Sequence, residues 1–199
     1  MDIELPEGVR AATPADWRQL GDITAEAFFE DPVNEWIFGS SRAIRSAFSV
    51  LARDVYSRRG QCYLAGDRGA AMWCTSETNR NLPTLSMLAL AAGVARWGTK
   101  GAVKRAITAG ETMDANHPHE RHMYLFTIGT RKSARGQGVG KALLRPMLAA
   151  CDREQLPAYL ENSNPANTGF YVSHGFERMK LFEVGDSSPA LEAMWRAPR

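Results

Sequence analysis

The sequence predicts an α/β fold, a mixed sheet with helices on both faces. Two short apolar runs, Gln61 to Ala65 and Ala70 to Thr75, flank the turn Gly66-Asp67-Arg68-Gly69 at hairpin spacing. A strand-like run from Met123 to Thr130, a helix-like run from Val139 to Cys151 and a strand-like run from Pro157 to Glu161 make one βαβ unit. Between the first two lies Arg135-Gly136-Gln137-Gly138-Val139-Gly140-Lys141, a glycine-rich turn that opens the helix.

The remaining elements follow from apolar spacing. Val9 to Ala12 reads as a first strand. Thr13-Pro14-Ala15-Asp16 starts a helix, with Thr13 as N-cap, Pro14 at the first helical position and Asp16 reaching back. Trp17, Leu20, Ile23, Thr24, Ala27 and Phe28 carry it to about Phe29, where Asp31-Pro32 stops it. Residues 33 to 39 read as a connector, and Arg42 to Arg58 as a second helix. Leu85 to Trp97 and Val103 to Met113 predict two helices separated by Gly98 and Gly101. Asn167 to His174 is a short helix, and Phe176 to Val184 and Leu191 to Trp195 are the final strands.

A chain of 199 residues, 44% of them hydrophobic, is expected to form a single domain over 1–199. It divides into an N-terminal half (8–120), a central segment (121–182) and a C-terminal strand (183–199). A formal net charge of +2 is too near balance to suggest nucleic-acid binding. Cys62, Cys74 and Cys151 fit neither a disulfide framework nor a zinc site, and they suit a reducing cytoplasm. Met1-Asp2-Ile3-Glu4 is acidic and lacks the features of a signal peptide, and the apolar stretch from Leu85 to Val94 is too short to span a bilayer. A cytoplasmic protein without a membrane partner is expected.

The glycine-rich turn is the most informative stretch. Bare backbone can bend there so that N–H groups converge on an anion at a helix N-terminus, where the helix dipole adds attraction. A Walker A loop would need glycine where Arg135 stands and a hydroxyl where Ala142 stands. The dinucleotide fingerprint fails because the glycines run G-x-G-x-G. The spacing Arg-x-x-Gly-x-Gly is instead similar to the acetyl-CoA pyrophosphate loop of the GNAT superfamily of N-acetyltransferases.

From about Met123 to Phe182 the chain resembles the acetyl-CoA-binding core of that superfamily. The second matching block is Asn164-Pro165-Ala166-Asn167-Thr168-Gly169-Phe170-Tyr171 followed by Gly175-Phe176. The resemblance implies a central splayed mixed sheet flanked by helices on both faces. It also implies acetyl-CoA as co-substrate, held by Ile128, Gly129 and Thr130 at the strand end, by Arg135, Gly136, Gln137, Gly138, Val139, Gly140 and Lys141 in the loop, and by Asn164 and Asn167. Thr130 and Lys132 stand where the family more often has Val and Pro, which leaves the loop spacing intact. Pro157 to Pro165 with Phe170-Tyr171, Ala27 to Pro32, and Ala70-Ala71-Met72-Trp73 resemble the puromycin N-acetyltransferase branch.

The implied reaction moves an acetyl group to an amine. The amine must lose a proton, the oxyanion needs a main-chain N–H near Ile128, and the departing thiolate needs an acid. The resemblance makes Tyr171 that acid; the alternative is a core tyrosine. Glu161, at a strand end, is either the base, directly or through water, or a carboxylate that orients substrate or caps the next helix. Glu30 and Asp31 are acceptor-site candidates by resemblance, or else an ordinary helix stop. Trp36, Trp73 and Trp97 either line the acceptor pocket or pack in the core.

His117, His119 and His122 lack a carboxylate or thiol at supporting spacing, so a solvated loop is favoured and no metal is expected. Arg96, Lys100, Lys104 and Arg105 read as a solvated helix face, and Arg131, Lys132 and Lys141 as better partners for an outer phosphate. The leading function is a cytoplasmic N-acetyltransferase for a small-molecule amine, antibiotic-like compounds included. The alternatives are a protein or peptide N-acetyltransferase and a non-catalytic acyl-CoA-binding sensor. Residues 81 to 115 are long enough to cover a closed pocket, which favours a small acceptor. Monomer and homodimer both remain open.

Overall fold

The computed structural model describes residues 3–199; the expectations that rest on Met1 and Asp2 lie outside the described residues. Among the described residues, seven strands form one sheet in the order β1-β2-β3-β4-β5-β7-β6. They are β1 (Arg10–Ala11), β2 (Gln61–Leu64), β3 (Gly69–Thr75), β4 (Met123–Thr130), β5 (Ala158–Asn162), β6 (Glu177–Glu183) and β7 (Ala190–Arg196). Only β4 and β5 run parallel, because a helical crossover joins them; every other pair is antiparallel. The helices are α1 (Trp17–Ala27), α2 (Pro32–Phe38), α3 (Ser41–Leu51), α4 (Ser57–Arg59), α5 (Thr84–Trp97), α6 (Ala102–Asn116), α7 (Val139–Arg153) and α8 (Thr168–Val172). Among the described residues, no helix is long and apolar enough to cross a membrane.

Strand alternation sorts the core into two layers. Tyr63, Ala71, Trp73 and Leu125 pack with Leu143, Leu144 and Met147 of α7. Cys62, Leu64, Met72 and Tyr124 turn the other way, toward Leu20 and Ile23 of α1. A third cluster joins α2, α3, α5 and α6 through Ile37, Ile44, Phe48, Val94 and Ala109. Gly129 permits close contact with α1, since a Cβ there would come within 2.5 Å of Ala27 Cβ.

The start of the first helix follows the sequence. Asp16 accepts from Thr13 N–H at 2.7 Å and from its hydroxyl at 2.9 Å. Residues 33 to 39 depart from it. They belong to α2 rather than a connector, because Asp31 caps a new helix by accepting from Asn34 N–H at 2.9 Å. Asp31-Pro32 therefore begins a helix, with proline at the tolerated first position. Helix α3 continues through a π-helical turn, Ala52–Tyr56, into α4. That turn stacks Tyr56 on Phe126, with ring centroids 4.1 Å apart.

The sheet splits at its centre. β4 and β5 pair only at Met123↔Ala158, Tyr124↔Tyr159 and Leu125↔Leu160, and then diverge. Opposite β3 the register shifts where Met72 meets Thr127 and Trp73 meets Leu125, so Phe126 is the extra residue of a bulge. Beyond it, Ile128 to Thr130 stay paired with β3 on one edge and leave the other edge open to the gap.

Candidate active site

Two cavities open where the sheet splits. The first, a cleft of about 820 Å³, is lined by the end of β4, the glycine-rich turn, the first turns of α7, and α8. Gly136 and Gly138 have φ of 75° and 77°, in the left-handed region that favours glycine. A Cβ on either would meet no atom within 4 Å, so both positions border open space. Gly138 caps α7, and Ala142 N–H donates to its carbonyl at 3.0 Å. The N–H groups of Val139, Gly140 and Lys141 precede that first helical bond and have no acceptor in the chain among the described residues.

Of the residues expected to hold the cofactor, Ile128, Gly129, Thr130, Arg135, Gly136, Gly138, Val139, Gly140, Lys141, Asn164 and Asn167 all line this cleft. Gln137 does not; its side chain turns back to donate to Ser133 O at 2.9 Å. Arg145 also lines the cleft, one helical turn beyond Lys141 on the same face. That spacing was readable in the sequence. Arg131 is not among the free cations. It is held by Asp22 at 3.0 Å, Asp67 at 2.9 Å and Glu26 at 2.5 Å, which ties α1 to the hairpin turn and the end of β4.

The second cavity, about 380 Å³, lies behind β4 and is walled by α2, α3, α5 and α6. Phe28, Phe48, Phe126 and Met113 give it an apolar lining, and Arg80, Asp114, His117 and Glu161 give it one charged end. Among the described residues, only Phe28, Ile128, Asn167 and Tyr171 line both cavities. Tyr171 is buried, and burial pushes its hydroxyl up from the ordinary tyrosine value, with the Asp31 carboxylate adding to the shift. It therefore holds its proton at neutral pH.

Glu161 faces the second cavity with its side chain 3% exposed, and Asn164, not Glu161, is the N-cap of the next helical turn. Among the described residues the Glu161 Oε1 atom has no hydrogen-bond partner, and it lies 3.5 Å from His117 Nδ1. Asp31 is buried. Besides capping α2 it accepts from Ser163 Oγ at 2.6 Å, and it lines the first cleft. Glu30 is exposed and pairs with Lys132 at 3.1 Å and Arg135 at 3.8 Å, which places it at the mouth of the first cleft rather than in the apolar cavity.

The tryptophans line neither cavity. Trp73 is fully buried against α7 residues, and Trp36 packs against Gly185 and Arg105. Trp97 is 38% exposed, and its ring is approached by the guanidinium groups of Arg42 and Arg96. Arg105 does not belong to a solvated face, since it donates to Trp36 O at 2.6 Å and to Thr99 Oγ1 at 2.8 Å. The solvated-loop expectation also fails for His117 and His122. His122 is fully buried, and the two Nε2 atoms lie 3.1 Å apart.

One supporting network gave no signal in the sequence. Glu192, buried on β7, accepts from Asn162 Nδ2 at 2.7 Å and from Thr168 Oγ1 at 2.5 Å, and also pairs with Arg178. It thereby anchors the start of α8, the helix that carries Tyr171. Among the described residues, no group of three or more His, Cys, Asp or Glu could hold a metal ion.

The model of the acetyltransferase (GNAT) family matches residues 89–176, which include β4, the glycine-rich turn and α8. An uncharacterized N-acetyltransferase of Schizosaccharomyces pombe is 24% identical over 204 residues, covering 92% of this chain and 80% of the relative. A solved structure from Corynebacterium glutamicum, of histone acetyltransferase HPA2 and related acetyltransferase, has a TM-score of 0.69 and 26% identity, with 96% of each chain covered. Arylalkylamine N-acetyltransferase 2 of Aedes aegypti shares the fold at a TM-score of 0.62 and 10% identity, covering 96% of this chain and 98% of its own. The chain is thus similar to the GNAT acetyltransferases over residues 89–176, and to an N-acetyltransferase relative and a solved acetyltransferase structure over more than nine-tenths of its length.

Proposed function

We propose that the protein transfers an acetyl group from acetyl-CoA to the primary amine of a small molecule, by direct attack with both substrates bound. The observation that carries this reading is the meeting of two unlike cavities at Tyr171 and Ile128. The polar cleft suits a diphosphate. Its N–H groups and the cations Arg135, Lys141 and Arg145 converge there, and its glycine Cα atoms face open space. The open edge of β4 at Ile128 to Thr130 offers main-chain groups to an amide-bearing arm. Acetyl-CoA supplies the activated acetyl group.

The apolar cavity suits the body of an amine, with Glu161 at its charged end to attract the cation. Its modest volume and helical walls favour a small acceptor over a peptide. Of the residues shared with the puromycin N-acetyltransferase branch, Asp31, Asn164 and Tyr171 line the cleft and Leu160 to Ser163 line the cavity, which supports an origin there. The protonated Tyr171 hydroxyl donates a hydrogen bond to the departing sulfur, one that strengthens as charge develops on it. Each turnover of an ammonium substrate releases one net proton, which the acceptor side must remove.

Release of free thiol from acetyl-CoA, measured with a panel of hydrophobic amines, polar amines and peptides, tests the reading. Turnover with small amines is expected. Turnover with peptides alone would replace it with protein acetylation. Tight acetyl-CoA binding with no thiol release would make the protein a sensor.

A further inference from the structure

The imidazoles of His117 and His122 form a directed pair whose tautomers the structure fixes. His122 Nδ1 lies 2.6 Å from Glu120 O. A carbonyl oxygen only accepts, so Nδ1 must carry a proton. Burial pushes the His122 imidazole down to about 4, so near neutral pH it holds that one proton and its Nε2 is a bare lone pair. That lone pair sits 3.1 Å from His117 Nε2, which must therefore be the N–H donor. In neutral His117 the remaining nitrogen, Nδ1, is then an unprotonated acceptor. It points at Glu161 Oε1, 3.5 Å away, itself buried and without a donor. With His117 in that form, two proton acceptors face each other, at more than a good hydrogen-bond distance, in the wall of the apolar cavity.

We propose that His117 Nδ1 and Glu161 Oε1 together form the proton-accepting site for the acceptor amine, and that His122 is the positioning residue that holds His117 in its accepting tautomer. The proposal rests on the amine-acetylation reading above. An ammonium group entering the cavity is drawn to the carboxylate. Its N–H bond breaks, the electron pair stays on nitrogen as the attacking lone pair, and the proton moves to His117 Nδ1. The product is an imidazolium that donates to the Glu161 carboxylate, a charge-assisted pair that replaces two opposed lone pairs. The proton then leaves to solvent when the amide product departs.

The surroundings favour this site over any neighbour. Tyr56, Tyr124 and Tyr159 pack around it, and burial pushes all three hydroxyls up. Burial also pushes the Cys74 thiol up, to about 11. None of these four exchanges a proton near neutral pH. Arg80 keeps its charge and is shared with Asp114 at 3.2 Å. The ring of His117 meets Tyr124 and Tyr159 edge-on at 4.8 and 5.0 Å, which holds its plane. The sequence concealed this arrangement because His117 follows the end of α6, His122 precedes β4 and Glu161 lies on β5.

The test is the pH dependence of kcat/KM for an amine that the wild type acetylates, compared with His117→Phe, which keeps an aromatic ring in place. Below pH 7 the variant is expected to lose about 100-fold, the lower range for acid–base assistance. The deficit should shrink toward the amine's own pKa, where the free base arrives without its extra proton. The loss should fall on kcat, with acetyl-CoA affinity unchanged. A deficit equal at every pH, or none, overturns the proposal while leaving amine acetylation intact. A wild type that acetylates no amine overturns the underlying reading, and the proposal with it. A second measurement needs no variant. Imidazole nitrogen shifts of the wild type should show His122 as the neutral Nδ1–H tautomer between pH 6 and 8. The Nε2–H tautomer would reverse the direction of the pair and overturn the proposal.

Discussion

The cleft at the start of α7 and the cavity behind β4 share Tyr171 but are built by opposite means. The cleft is made largely of main chain from two adjacent segments, the end of β4 and the turn into α7, with helix cations added. The cavity is made of side chains brought from α2, α3, α5, α6, β4 and β5. A site built from backbone is written as local spacing and tolerates few changes at its glycines. A site built from distant side chains can change its ligand without changing the fold. Under the proposed function, the difference teaches where to look for shared chemistry, on the cleft side, and where to look for acceptor choice, on the cavity side.

The largest expected effect breaks the link between the two. Tyr171→Phe should lower kcat about 100-fold while leaving acetyl-CoA affinity within about twofold. Thiol release and calorimetry together check this, and a comparable loss of acetyl-CoA affinity would assign Tyr171 to the cleft alone.

Next come two changes that separate the regions. Gly138→Val forces a branched residue to a φ of 77° and puts its side chain into the cradle. The backbone strain alone costs about 1–2 kcal/mol, and acetyl-CoA affinity should fall by tenfold or more in calorimetry. Met113→Trp should fill part of the other cavity and raise the amine KM by roughly tenfold, or about 1.4 kcal/mol, with acetyl-CoA binding untouched. If either variant altered both substrates equally, the two cavities would be one functional unit.

A smaller effect concerns Arg145. Arg145→Gln should weaken acetyl-CoA binding by no more than about 1 kcal/mol, the scale of a solvent-screened contact. The difference should narrow as salt rises from 0.05 to 0.5 M, since screening shortens the reach of the charge.

The smallest effect is on stability. Burial lowers the His122 pKa from 6.5 to about 4, so the unfolded chain takes up the proton first. Stability from keeping His122 neutral is fully present above about 6.5 and is lost as pH falls toward about 4. The melting temperature should drop across that window, and the drop should be shallower in His122→Asn.

Much of the fold was legible because it rests on short-range rules. The capping box at Thr13, the hairpin at 61–75 and the strand Met123–Thr130 all follow from neighbouring residues. The misreadings arose where one residue serves two structures. Asp31-Pro32 reads equally well as the end of one helix or the start of the next, and the hydrogen bond from Asn34 N–H to Asp31 decides it. Glu192 and Arg105 look like ordinary surface charges until tertiary contacts supply their partners.

By itself the sequence determined the glycine-rich turn, because left-handed glycines at a helix start are a property of a few consecutive positions. It also determined the alternation that places helices on both faces of the sheet. Only the tertiary structure decided what lines the cavity behind β4. The bulge at Phe126 and the divergence of β4 from β5 open the sheet, and Glu161, His117 and His122 meet across segments up to 44 positions apart. Local spacing carries no record of such meetings, because they are set by how packed layers close on one another.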